Sequence, residues 1–297
     1  MEMRLIKQIK LDDCMEIKSL CNAGSDELFG AFERAFADYE VQLNRAEYFT
    51  MLRRRGFDPR ASFGAFDGNG IVSFTCNGIG DFYGTPTAYD TGTGTLKEYR
   101  GKGLATQIFE YSIPCLKELG IREYLLEVLQ HNAGALSVYR KLGFEVTREF
   151  YYFKSRNEEV DRTTPVLDFP YVIKPFNISE YSAVSGFWDF KPSWQNSLES
   201  IARTLGDFIC LGVFADEKLL GYGVFEPMSG DVTQIAVDKE YRRRGIGSLL
   251  FQKMIESNKH DSVKIINSDI GCSSMTAFLR SKNIGPEGKQ FEMIKKL

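Results

Sequence analysis

Histidine is scarce: the 297 residues contain two, His131 and His260, and neither sits at metal-ligand spacing from another donor. That argues against a zinc centre and against a histidine-based catalytic triad, so no metal is expected. The six cysteines (Cys14, Cys21, Cys76, Cys115, Cys210 and Cys272) form no C-x-x-C pair. This removes a dithiol redox motif and suits ordinary buried thiols in a reduced, cytoplasmic setting. No apolar run approaches the roughly 20 residues that span a bilayer, and Met1–Lys10 has no signal-peptide core, so no membrane partner is expected. A formal net charge of −3 leaves no basic footprint for nucleic acid. The G-x-x-x-x-G-K-[ST] phosphate loop is also missing, which sets nucleotide hydrolysis aside.

What is present is long enough for two domains with separate cores, at 43% hydrophobic and 26% charged residues. Two stretches say nearly the same thing. Tyr99-Arg100-Gly101-Lys102-Gly103-Leu104-Ala105 recurs as Tyr241-Arg242-Arg243-Arg244-Gly245-Ile246-Gly247, with Arg100 and Arg242 142 positions apart. Each stretch follows a strand pattern and opens an amphipathic helix. Such a turn presents free backbone N–H groups at the positive end of a helix and binds phosphate-like anions. The repetition in matching contexts implies a duplicated fold.

Periodicity places strands at Met3–Ile9, Ala61–Asp67, Ile71–Ile79, Thr87–Thr95, Tyr124–Leu129 and Glu145–Phe153 of the first half. Helices are expected at Leu11–Cys21, Val41–Arg55, Thr106–Leu119 and Asn132–Leu142. The second half repeats this order, with helices expected at Ser179–Phe187, Trp194–Leu205, Gly245–Ser257 and Ser273–Lys282. The fold class is therefore α/β, or α+β with a mixed sheet. The chain divides as residues 1–154, a linker at 155–170, and residues 171–297.

With these residues in place the chain resembles the GNAT superfamily of acyl-CoA-dependent N-acyltransferases. The family's pyrophosphate signature, Arg/Gln-x-x-Gly-x-Gly/Ala, matches Arg100, Gly103 and Ala105, and again Arg242, Gly245 and Gly247. A second signature, Asn-x-x-Ala-x-x-x-Tyr-x-x-x-Gly-Phe, matches Asn132, Ala135, Tyr139, Gly143 and Phe144. The resemblance implies a tandem arrangement with acetyl-CoA as co-substrate and an amine acceptor, either a small molecule or a peptide N-terminus. It implies a CoA site at Thr95, Leu96, Arg100, Gly101, Lys102, Gly103, Leu104, Ala105 and Asn132, with Arg242, Arg244, Gly245 and Gly247 in the second half. Tyr139 is the expected general acid and Glu127 the expected base, with Asp90 and Glu98 ranked behind it. The acidic and aromatic residues Asp26, Glu27, Glu33, Asp38, Tyr39 and Glu40 fall where the family builds its acceptor wall.

The halves differ. Counting back from the C-terminal side aligns Ile266 with Glu127, Gly271 with Asn132 and Phe278 with Tyr139, so the second half lacks the chemistry-bearing side chains. Each half also ends one strand short of a lone GNAT domain, and an open sheet edge calls for cover. The alternative reading is a non-catalytic acyl-CoA sensor or regulatory module.

Overall fold

A computed structural model describes residues 9–12, 15–39, 42–68, 70–180 and 182–297. They form two compact units, Met1–Thr147 with Glu292–Leu297, and Arg148–Phe291.

In the first unit, β1 (Ile9–Asp12) and β2 (Met15–Ser19) precede helices α1 (Ser25–Ala35) and α2 (Arg45–Arg54). A meander of β3 (Phe63–Asp67), β4 (Gly70–Phe82) and β5 (Thr85–Thr95) follows. Then come α3 (Leu104–Glu118), β6 (Glu123–Leu129) and α4 (Ala133–Lys141). The helix expected at Leu11–Cys21 is instead strand β2, which pairs antiparallel with β3, Ile17 opposite Ala65. Only Ile17 and Leu20 of this segment are buried among the residues whose side chains are described, too few for a helical stripe. Most of the expected Met3–Ile9 strand, like Cys14 and Glu40, lies outside the described residues. Helix α1 was not expected. Asp26 and Glu27 in its first turn suit the helix dipole. Leu28, Ala31, Phe32 and Ala35 form its buried face at helical spacing. Helix α2 starts at Asn44, where a capping box with Glu47 satisfies two end donors.

The second unit opens with the part of β7 (Glu145–Arg156) from Arg148 onward, followed by β8 (Val172–Pro175), α5 (Leu198–Arg203) and β9 (Ile209–Ala215). It continues through β10 (Lys218–Glu226), β11 (Asp231–Val237), α6 (Ile246–Glu256), β12 (Ser262–Asp269) and α7 (Ser273–Arg280) into β13 (Pro286–Lys296). The helices expected at Ser179–Phe187 and Trp194–Leu205 are largely single 3₁₀ turns, with α5 as the one α-helical stretch. Residues 155–170 are packed into this unit: Val160 and Leu167 are buried in its cores, and Lys282 donates to the Thr163 carbonyl.

The open edge of each sheet is covered. In the first unit the order runs β1-β2-β3-β4-β5-β6, and the end of β13 lies beside β6, where the Leu297 amide donates to Arg122. In the second unit the order is β7-β12-β11-β10-β9-β8, with β7 antiparallel to β12, Phe153 opposite Ile265. The strand that follows α4 thus completes the second unit, and the strand that follows α7 completes the first.

One detail positions the sites. Parallel strands β5 and β6 are matched at Thr87–Tyr89 only, and β11 and β12 only at Asp231 and Lys264. Beyond those residues the strands part. At the parting each of β5 and β11 carries one unmatched residue against its antiparallel neighbour, Thr91 and Thr233. These bulges are again 142 positions apart, and bulges re-aim side chains beside sites.

Candidate active site

The first glycine turn ends at Gly103, the N-cap of α3, which has no side-chain cap. Gly101 and Gly103 adopt φ of 79° and 77°, a region costly for other residues. Gly101, Lys102 and Gly103 are exposed, so the first amides of α3 face solvent as a ready anion cradle.

The side chains expected to help have other tasks. Arg100 donates to the carbonyls of Ala35 (2.9 Å) and Thr95 (3.2 Å) and pairs with Asp38 at 3.5 Å. It ties the end of α1 to the turn. Lys102 lies over the Tyr99 ring at 4.5 Å. Thr95 shares a hydrogen bond with Ser73 (2.7 Å), and Leu96 is buried. Asn132 caps α4 by accepting from the Ala135 amide. Two acids of the expected acceptor wall are paired: Asp26 with Arg45, and Asp38 with Lys97 and Arg100.

The second turn repeats this clamp. Arg242 donates to Val237 and Phe187 carbonyls and pairs with Asp189 at 2.8 Å. Gly245 takes φ 91°, and Arg243 takes φ 63° where the first turn has glycine. Arg244, however, pairs with Asp168 at 3.0 Å, and the Pro165 ring rests on Gly245: a Cβ there would lie 2.7 Å from Cγ. Gly247 follows on α6, facing Phe278.

At the parting of β5 and β6, Tyr139 of α4 is buried edge-on against Phe109 of α3 and donates to Asp90 Oδ2 at 3.3 Å. The same carboxylate accepts from Thr93 Oγ1 (2.9 Å) and the Gly92 amide (3.0 Å). Burial raises Asp90 to about 6, against those three stabilising donors. Burial and the adjacent carboxylate push Tyr139 well above the ordinary phenol range, so it stays protonated. Glu127 accepts from Tyr89 at 3.1 Å. Its neighbour Tyr124 packs against Phe109, so strand alternation turns Glu127 to the opposite sheet face. Tyr139 and Glu127 thus flank the parting from two sides. Glu98 is exposed in a pair with Arg34, away from both.

Asp90 and Thr93 are the partners that sequence reasoning ranked low or missed. The clue was an acid in the middle of β5, directly before its Thr/Gly tract at residues 91–95. Arg55, the last residue of the expected Val41–Arg55 helix, donates to the Thr91 carbonyl at 2.8 Å.

In the second unit one residue is added. Two residues of β12, Ile266 and Asn267, oppose one of β7, and Asn267 has φ 58°. The caps then run 140 positions out of step, not 139. Cys272 caps α7 as Asn132 caps α4, and the Ile284-to-Leu279 bond matches Phe144-to-Tyr139. The counterpart of Asn132 is therefore Cys272 rather than Gly271. Leu279 takes the backbone place of Tyr139, while Phe278 supplies a ring edge-on to Phe251. No hydroxyl stands there.

Comparison with known proteins agrees with this fold. The acetyltransferase (GNAT) family matches residues 26–144 and 176–271. An Arabidopsis thaliana N-alpha-acetyltransferase, MAK3, is 32% identical over 96 residues, 32% of this chain and 50% of the relative. An uncharacterized Bacillus subtilis N-acetyltransferase, YobR, is 23% identical over 158 residues, 48% of this chain and 62% of that protein. The chain thus spans between about half and three-fifths of these two relatives' length. Among solved structures, a tandem GNAT protein from the clavulanic acid biosynthesis pathway superposes with a TM-score of 0.73 at 13% identity, covering 95% of this chain and 98% of that one. A GCN5-related N-acetyltransferase from Sphaerobacter thermophilus gives 0.70 at 13% identity and 97% of both chains. These likenesses carry the fold, and the two matched regions carry the assignment: the chain belongs to the acetyltransferase (GNAT) family, in tandem form.

Proposed function

We propose that the first unit transfers an acetyl group from acetyl-CoA to a primary amine, either a small molecule or a peptide N-terminus. The observation that carries the reading is the buried Tyr139–Asp90 pair at the strand parting, in the unit whose glycine turn is open to solvent. Acetyl-CoA supplies the activated acetyl thioester, and its phosphates suit the amides of residues 101–105. The N-alpha-acetyltransferase relative supports a peptide N-terminus among the acceptors. Among the described residues no helix is long and apolar enough to cross a membrane, and no cluster of metal-ligating side chains occurs.

In this reading Glu127, directly or through water, accepts the proton that the attacking amine sheds. The Tyr139 hydroxyl turns from Asp90 toward the departing sulfur. A thiol near 8.5 is more acidic than this raised phenol, so Tyr139 stabilises sulfur charge by donating a hydrogen bond, and the amine's proton completes the balance. Turnover screened across amines, amino acids and peptide N-termini tests the reading; no turnover on any of them would remove it.

Asp90 gives a signed expectation. An unfolded aspartate titrates near 3.9 and the folded one at about 6. Between those values the folded state holds the proton more tightly, so stability falls as pH rises from about 4 to 6 and stays lower above. Asp90→Asn should therefore gain roughly 1–3 kcal/mol at pH 7, read by chemical denaturation. The same change should lower kcat and erase a limb of the rate profile near pH 6. A destabilised variant with an unchanged profile would contradict both expectations.

Glu127→Gln should lower kcat by about 10²-fold or more and flatten whatever acid limb survives in Asp90→Asn. An unaltered profile in that background would move the base role to water.

A further inference from the structure

Helix α2 ends at a fixed place on the sheet of the first unit. The amides of Gly56 and Phe57 turn back to the carbonyls of Arg53 (3.0 Å) and Leu52 (2.9 Å), and Gly56 takes φ 79°. This is a helix end stopped by glycine, with its last carbonyls satisfied. The chain then pairs with β4. Phe57 bridges Gly78, the Ile79 amide donates to Gly56, and the Asp58 amide donates to Asn77. The approach is so close that a Cβ at Gly78 would run into the Arg55 carbonyl oxygen. Arg55, the C-cap of α2, is therefore locked in place against β4.

From there its half-buried side chain reaches the bulge of β5. Across β4 the register passes from Asp90 opposite Asn77 to Gly92 opposite Cys76, which skips Thr91. On the other side, matching with β6 stops at Tyr89. The register thus gives the carbonyl of Thr91, a residue 3% exposed, no partner in either neighbouring strand. Arg55 Nη1 donates to that carbonyl at 2.8 Å, and the Thr91 hydroxyl donates to the Cys76 carbonyl at 3.0 Å. A buried carbonyl left bare is costly, so the guanidinium makes this bulge tenable.

The turn that starts at the bulge holds Asp90. The Gly92 amide bonds Oδ1, and Thr93 bonds Oδ2 beside Tyr139. A bulge that slips would carry the carboxylate with it. Four elements also bring ionisable groups toward Asp90: Arg55 from α2, Cys76 from β4, Tyr124 from β6 and Tyr139 from α4. Tyr89 of its own strand is bonded to Glu127. Burial pushes Cys76 up to about 12 and Tyr124 well above the phenol range, so both stay neutral near pH 7. Arg55 is the cation of this set and favours the ionised carboxylate.

The second unit offers a comparison. Its bulge residue Thr233 donates to Asp231, two positions back in the same strand, and Val232 stands where Asp90 does. Arg203, at the end of α5, pairs with Glu199 at 2.7 Å and lies over the Trp194 ring. The bond from arginine to bulge belongs to the unit that has the tyrosine–aspartate pair.

We propose that Arg55 is a positioning residue for transfer: it holds the bulge of β5, and through it Asp90, in the geometry from which Tyr139 acts. The inference rests on the acetyl-transfer reading of the first unit.

Arg55→Met keeps the length and removes both charge and donor. It should lower kcat by about 10- to 10²-fold, the scale of a small misplacement of reacting groups. KM for acetyl-CoA should stay within about twofold. The limb of the rate profile near pH 6 should move upward by about 0.5 to 1 on the pH scale, below the roughly 1–3 of a directly paired carboxylate. Hydrogen exchange at the Gly92 amide, measured without substrate, should quicken at least about tenfold. Arg55→Lys restores the charge and one donor, so it should return the limb to its place and recover most of kcat. Arg55→Gln should show the same upward limb and serves where Arg55→Met does not fold. A kcat within twofold of the parent with an unmoved limb would overturn the proposal. So would a lowered kcat with limb and exchange both unmoved. A raised acceptor KM at constant kcat would make Arg55 an acceptor-binding residue and overturn it as well. Absence of turnover in the parent chain would remove the transfer reading instead, and the exchange result would still decide whether Arg55 holds the bulge.

Discussion

Tyr139→Phe should reduce kcat by roughly 10- to 10⁴-fold, the span associated with loss of a hydrogen-bond donor positioned on a developing charge and some margin on either side. Acetyl-CoA affinity should hold, because the ring keeps its place against Phe109 and Phe144. The hydroxyl removed makes a long bond, 3.3 Å, to a carboxylate that retains two shorter donors from Thr93 and Gly92. The fold therefore loses little, and Asp90 stays held. The expected signature is a fall in kcat and kcat/KM together with KM nearly constant, which marks an interaction made in the transition state rather than in substrate binding. Steady-state kinetics on the best acceptor, with calorimetric titration of acetyl-CoA, separates the two quantities. Turnover within twofold of the parent would reduce Tyr139 to a packing residue.

The signals that survived from sequence to structure were local ones. The glycine turns, the strand that leads into each, and the helix that follows are decided by positive-φ positions and by spacing within about fifteen residues, so they could be read directly. What was misread depended on partners distant in sequence. Met15–Ser19 becomes a strand because β3, about fifty residues later, offers an edge. Asp90 looked like one of several acids; its burial and its bond to Tyr139 need α4 packed over β5. The resemblance implied Arg100 and Arg242 as phosphate ligands, yet both are spent on the carbonyls and acids that precede their helices. The one-residue slip at α7 came from a bulge at Asn267, invisible to any count that assumes constant spacing.

Gly103→Glu should abolish measurable acetyl-CoA binding in the first unit, a loss of at least about 10²-fold. Two effects add. A glutamate at φ 77° is forced into a conformation that costs about 1 kcal/mol or more outside glycine. Its carboxylate would also stand at the helix N-terminus, taking the amides that suit a phosphate and repelling the pyrophosphate itself. The site has little cation to compensate, because Arg100 is engaged with Ala35, Thr95 and Asp38. The space is open: a Cβ at Gly103 meets only the end of Gln107, at 3.6 Å, so the fold should tolerate the change and circular dichroism should be unaltered. The matching change in the second unit is the control. Gly245→Glu would strike Pro165 and strain a φ of 91°, destabilising that unit, yet it should leave acetyl-CoA stoichiometry at one per chain. Calorimetric titration of both variants decides the matter. Full binding in Gly103→Glu would relocate the cofactor to the second turn, and a stoichiometry of two that falls to one in Gly245→Glu would place it at both.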